Sequence, residues 1–180
     1  MSKIITLIIT TLCLQLTAIT LHAEWQEPEL GYQLNPLVKP VEAPGFTLMD
    51  MDEYEYDFSE YSGKVVLLNF WATWCPPCRR EMPSMERLHQ QNAGKDFTVL
   101  AINQMEDADT VFSFFGVLET RPTFNILLDS DSKVSQRYNV RGLPTTYLID
   151  KQGRVRYSAV GGREFDHPEV QKIIDALMQE

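Results

Sequence analysis

Cys75 and Cys78 stand three positions apart in the run Asn69-Phe-Trp-Ala-Thr-Trp-Cys-Pro-Pro-Cys78, after a continuous apolar stretch and before a segment that reads as a helix. Two thiols at this spacing can cycle between dithiol and disulfide, or supply half of a metal site. They cannot staple a fold, because a cross-link stabilises through the length of chain it closes and this loop is very short. If Cys75 caps the helix, its sulfur faces the positive end of the helix dipole and the thiolate is favoured over the thiol. Cys75 is then the attacking group, and Cys78, one turn in and less exposed, the resolving one. Pro76 and Pro77 take the first helical positions, where an N–H would have no intrahelical partner, so the Cys78 N–H is the nearest donor left for the thiolate. Trp74, apolar and exposed at the turn, suits packing against a partner chain, whereas Trp71 reads as core. Arg79 and Arg80 either add positive potential beside the thiolate or form a solvated first turn. Met82, Met85 and Leu88 should pack inward, and Pro83 removes a helix donor below the cysteines.

The metal reading has fewer ligands to draw on. Zinc usually takes four, yet the third cysteine, Cys13, lies in the leader, and beyond the leader the histidines are His89 and His167. His89 is 11 residues past Cys78 and His167 precedes a helix-starting Pro168. No metal and no cofactor is expected; a copper- or zinc-binding assembly factor is kept as the rival from another class, beside a non-enzymatic interaction domain.

The elements around the cysteines follow from periodicity. Phe46 to Leu48 and Glu55 to Phe58 read as a short hairpin, and Lys64-Val-Val-Leu-Leu-Asn-Phe-Trp71 as a strand covered on both faces. Next come a helix from the cysteines to about Gln91, a strand 97–102, a helix 108–118, a strand 124–128 and a short helix 134–138. Strands 145–149 and 155–160 and a helix 168–178 complete the chain. Strands separated by helices predict a mainly parallel central sheet with helices on both faces, closed by an antiparallel pair at Lys151-Gln-Gly153.

Residues 1–23 differ from the rest. Lys3 is followed by 18 uncharged residues, 4–21, and then by His22-Ala23. This reads as an export signal or a membrane anchor: Ala23 suits a cleavage site but Leu21 does not, while five Thr and Gln15 make a short, weakly apolar span. Leu12 before Cys13 argues against a lipid anchor. Either alternative delivers the domain outside the cytoplasm, where disulfides persist. Residues 24–44, with Pro28, Pro36, Pro40, Pro44 and Gly31, read as a Pro-rich linker or strap whose 21 residues could reach up to about 70 Å at ~3.3 Å each. The formal charge of −9, or −10 without the leader and its single Lys, repels phosphate backbones and excludes a nucleic-acid partner. The acids between Asp50 and Glu60 read as a solvated hairpin edge.

The segments GKVVLLNFWATWCPPCRREMPSM and YNVRGLPTTYLIDKQGRV, with APGFTL before them, resemble exported thioredoxin-like oxidoreductases of the TlpA/ResA type. The similarity spans about Ala43 to Glu180 and implies a thioredoxin-like α/β domain, 45–180, with a central mixed sheet, an N-terminal β-hairpin and an inserted βα element. It also implies that the Leu143-Pro144 bond is cis and faces the cysteines, against a base rate of about 5–6%. Leu143 would then offer its backbone to an extended client segment. Thioredoxin buries an Asp on the central strand where this chain has Asn69, which cannot carry a proton. The TlpA/ResA type carries an acid three residues after the second cysteine, here Glu81, and helix spacing puts Glu81 on the face of Cys78. The resemblance points to reduction of disulfides in client proteins by a Cys75/Cys78 couple, with a membrane electron donor and a tether through residues 4–21. A disulfide oxidase or isomerase is the alternative within the class. Cytochrome c maturation and copper-site assembly are roles of that family.

Overall fold

A computed structural model of the chain describes residues 29–118 and 121–180; the leader and the first part of the linker lie outside these. Eight strands form one sheet: β1 (Asn35–Glu42), β2 (Thr47–Asp50), β3 (Glu55–Asp57), β4 (Val65–Trp71), β5 (Phe97–Gln104), β6 (Asn125–Asp129), β7 (Thr145–Ile149) and β8 (Arg154–Val160). The helices are α1 (Pro76–Gln91), α2 (Ala108–Phe115), α3 (Lys133–Arg137) and α4 (Pro168–Gln179). Across the sheet the order is β1-β8-β7-β4-β5-β6-β2-β3. The continuous apolar run of β4 lies at the centre with every residue buried, as a strand covered on both faces requires.

One face carries α1, α2 and α4, whose Met82, Met85, Leu88, Val111, Phe115, Val170, Ile174 and Leu177 join Leu67, Trp71, Val99 and both cysteines in one core. The opposite core gathers Phe46, Val66, Leu68, Phe70, Leu100, Ile102, Val134 and Tyr138 under α3. Gly153, at φ +78°, closes the β7–β8 hairpin where a side chain would be strained.

Two expectations are corrected. The sheet is mixed, as the resemblance implied, and not mainly parallel as the periodicity predicted: among its strands β4–β5 and β5–β6 run parallel, and β7 lies antiparallel to β4. The connection between β6 and β7, residues 130–144, is long enough to return along the sheet but folds instead into α3 and the loop before Pro144 at the end where β6 stops. The chain therefore starts β7 at the end of the sheet where β6 stopped. That end is the C-terminal end of β4, with Thr145 opposite Phe70. Second, part of the Pro-rich segment 24–44 is strand: β1 pairs antiparallel with β8. Pro36 and Pro40 lack an N–H, which restricts them to an edge strand, and the register breaks between Pro36 and Val41. At the other edge stands the hairpin β2–β3, joined to β6 through β2, and it carries the acids foreseen there.

Candidate active site

The turn Ala72-Thr73-Trp74 carries the chain from the end of β4 to the start of α1. Cys75 has the extended backbone of an N-cap, φ −90° and ψ 105°, and its sulfur accepts the Cys78 N–H at 3.4 Å. Pro76 and Pro77 fill the first helical turn. The two sulfurs are joined in a disulfide. Cys75 is 3% exposed and Cys78 fully buried. Trp74 is 68% exposed beside them, while Trp71 is core, as expected from the sequence. Arg79 lies with its guanidinium 5.7 Å from the Phe114 ring of α2.

Glu81, one turn past Cys78, is fully buried. Its Oε1 accepts the Asn69 amide of β4 at 2.8 Å, and its Oε2 accepts the backbone N–H of Arg163 at 3.0 Å. The same Asn69 amide donates to Thr146 Oγ1 of β7 at 2.9 Å. Burial pushes the carboxyl up to about 8, against the opposing pull of the Asn69 amide and of Arg163. A carboxylic group with this affinity exchanges a proton near neutral pH, where an ordinary Glu is ionised.

The Leu143-Pro144 bond is cis. Because β7 starts at the C-terminal end of β4, Pro144 comes to the end of the sheet that carries the cysteines. Leu143 packs against the core that contains Cys75 and Cys78. The fold therefore brings Cys75, Cys78, Glu81, Leu143 and Pro144 to one end of the sheet, with Trp74 on the surface there. His89 is separate: its ring meets Phe124 edge-on. His167 caps α4 through Nδ1 and stacks on Tyr32 at 3.6 Å. Among the described residues no group of three or more His, Cys, Asp or Glu side chains converges as a metal site would need.

Two residues escaped the sequence reading. Glu106, just after β5, accepts the Thr73 N–H at 2.8 Å, the Thr73 hydroxyl at 2.5 Å and the Asn103 amide at 2.7 Å. It thereby fixes the turn that leads into Trp74 and Cys75. Arg163, after β8, presents its backbone N–H to Glu81 from 82 positions away. Neither has a local signal: Glu106 stands beside Asp107, which caps α2, and a backbone donor leaves no trace in residue type.

Comparison with known proteins gives the same architecture and chemistry. The AhpC/TSA family profile matches residues 41–158. The "Thiol-disulfide oxidoreductase ResA" of Geobacillus kaustophilus is 43% identical over 122 residues, covering 66% of this chain and 67% of the relative. The "Thioredoxin-like protein YneN" of Bacillus subtilis is 36% identical over 146 residues, covering 81% and 82%. Among solved structures, a putative thiol:disulfide interchange protein DsbE from Chlorobium tepidum superposes with a TM-score of 0.70 at 32% identity, covering 79% of this chain and 99% of that one. With its cysteines joined at the mouth of α1, the chain belongs to the AhpC/TSA family and, within it, to the thioredoxin-fold thiol-disulfide oxidoreductases.

Proposed function

We propose that this protein reduces disulfides in client proteins outside the cytoplasm, Cys75 attacking and Cys78 resolving. The carrying observation is the asymmetry of the pair: Cys75 caps α1 with a donor aimed at its sulfur and keeps a small opening, whereas Cys78 is closed off beside a buried acid. The Cys75 thiolate attacks one sulfur of a client disulfide, and the other client sulfur leaves and takes a proton. Cys78 then gives its proton to the Glu81 carboxylate and attacks Cys75 Sγ. The bond between Cys75 and the client breaks, the second client thiol is released, and two electrons have passed to the client. The product is the Cys75–Cys78 disulfide. Glu81 suits this step because Asn69, on the central strand, cannot take a proton. Leu143 and Trp74 hold the client backbone and its apolar side chains against the opening.

Resetting the cycle needs a dithiol donor, which for an exported domain is a membrane protein. Residues 4–21 either direct export or stay as the tether. Among the described residues no helix is long and apolar enough to cross a membrane, and the leader lies outside them. Direction is tested by the equilibrium potential of the purified protein against a dithiol of known potential. A reductase should fall nearer the thioredoxin value of about −270 mV than the about −120 mV of a strong oxidant. A value at the oxidising end would make the protein an oxidase.

A further inference from the structure

The connection between β8 and α4, residues 161–167, touches the site one residue at a time. Gly161 N–H donates to the Pro144 carbonyl at 2.9 Å. Gly162 is buried so closely against α1 that a Cβ on it would lie 3.0 Å from the Pro77 carbonyl oxygen, 3.3 Å from Pro77 Cβ and 2.9 Å from Leu30 Cδ2. Only a residue without a side chain lets the backbone lie there. Arg163 N–H then reaches Glu81 Oε2 at 3.0 Å, and the Arg163 carbonyl accepts the Ser84 hydroxyl at 3.2 Å. Phe165 N–H returns to the same hydroxyl at 3.0 Å. From the outer side the chain before β1 holds the connection in place. Glu164 N–H donates to the Gly31 carbonyl at 2.8 Å, and the Arg163 guanidinium spans the carbonyls of Gln33, Val160, Gly161 and Gly162.

We propose that Gly162 and Arg163 are positioning residues for the resolving step: Gly162 lets the connection lie against Pro77, so that the Arg163 N–H reaches Glu81 and sets how readily it takes the Cys78 proton. This rests on the reading of Glu81 as proton carrier. The groups that hold the carboxyl are the Asn69 amide from β4, with Thr146 of β7 behind it, and the Arg163 N–H from the connection, while Cys78 precedes it by three residues on the same helix. The charge that acts on it is the Arg163 guanidinium, which also favours the ionised form. An N–H held against a carboxylate stabilises it over the acid, so moving the connection outward raises the proton affinity of Glu81. The fork on the carbonyls is a second support, and the backbone donor is the first.

The test separates the donor from the side chain. Arg163→Pro removes the N–H and the guanidinium, Arg163→Ala removes only the guanidinium, and Gly162→Ala keeps both but forces the connection off Pro77. The full-length protein carrying each change is followed by carbon NMR titration of the Glu81 carboxyl, assigned with Glu81→Gln, and by the pH profile of mixed-disulfide resolution. We expect the Glu81 midpoint to rise by about one pH unit in Arg163→Pro and in folded Gly162→Ala, and by less in Arg163→Ala, with the resolution profile moving in step. A midpoint that moves while the resolution profile stays would uphold the positioning and remove Glu81 as the proton carrier. Wild-type midpoints in folded Arg163→Pro and Gly162→Ala would overturn the positioning itself.

Discussion

Cys75 and Cys78 are chemically the same and differ through their surroundings. Cys75 caps α1 and keeps the pair's only opening, so Cys78→Ser should accumulate mixed disulfides through Cys75, visible on non-reducing gels, and Cys75→Ser should not. The reverse pattern would exchange their roles. Glu81 carries two further expectations. As proton carrier it should be worth about 10²-fold in the resolution rate, so Glu81→Gln slows release of the mixed disulfide and flattens its pH dependence, read by single-turnover kinetics across pH. Its buried position also affects stability. The carboxyl titrates near 4.5 in the unfolded chain and at about 8 in the fold, so between these values the unfolded state ionises while the folded state stays protonated. Its penalty is absent below the lower value, grows as pH rises and levels off above about 8. Relative to Glu81→Gln, the wild-type protein should therefore lose stability from about pH 5 to about pH 8, by a few kcal/mol, measured by urea unfolding of the oxidised form. Parallel pH curves would mean that the acid is well solvated.

At the scale of elements, the site depends on short connections that end at one edge of the core. The connection 130–144, with α3 in it, stays at the end of the sheet where β6 stops, and this brings Leu143-Pro144 to the cysteine end. The turn between β4 and α1 is held from outside by Glu106, which accepts from Thr73 twice and from Asn103 once. Glu106→Ala leaves those half-buried donors without a partner and should cost about 1–3 kcal/mol in denaturant unfolding. Thiol exchange with a model disulfide should slow as well, because the freed turn carries Trp74 and Cys75. Unchanged exchange at reduced stability would make Glu106 a brace of the fold alone. The α1 helix accommodates Pro83 on its exposed side, while Met82, Met85 and Leu88 fill the core behind the cysteines.

Across the whole molecule, the described residues before the thioredoxin-like core, 29–42, are part of the fold. Tyr32 stacks on His167, Leu34 is buried, and β1 extends the sheet through β8. A chain beginning at residue 29 keeps every described contact of this segment and serves as the reference. One beginning at residue 43 loses Leu34, β1, the Gln33 carbonyl that accepts from Arg163 and the Gly31 carbonyl that accepts from Glu164, and should be less stable by about 2–5 kcal/mol. Equal midpoints for the two would show that the segment rests on the domain without stabilising it. The exposed Val38 and Val41 of β1 sit on an edge that Pro36 and Pro40 protect from further strand pairing.

The amino-acid sequence determined the chemistry and most of the elements. The spacing of Cys75 and Cys78, prolines at helix positions that need no donor, and the buried run of β4 are local patterns, and local geometry follows from them directly. Glu81 was pointed to by the resemblance, whose relatives carry an acid there, and helical spacing adds that it shares the face of Cys78. The direction of β7 was decided by the three-dimensional path of the chain, since a connection of this length can either return along the sheet or stay at one end of it. The strand formed by residues 35–42 likewise needed β8 as a partner, which lies more than 100 positions away. Glu106 acts through a carboxylate that meets Thr73 across the sheet end, Arg163 through its backbone N–H, and Gly162 through a contact with Pro77. Residue type records what a side chain can do; which backbone groups meet it is set by packing between segments far apart in the chain.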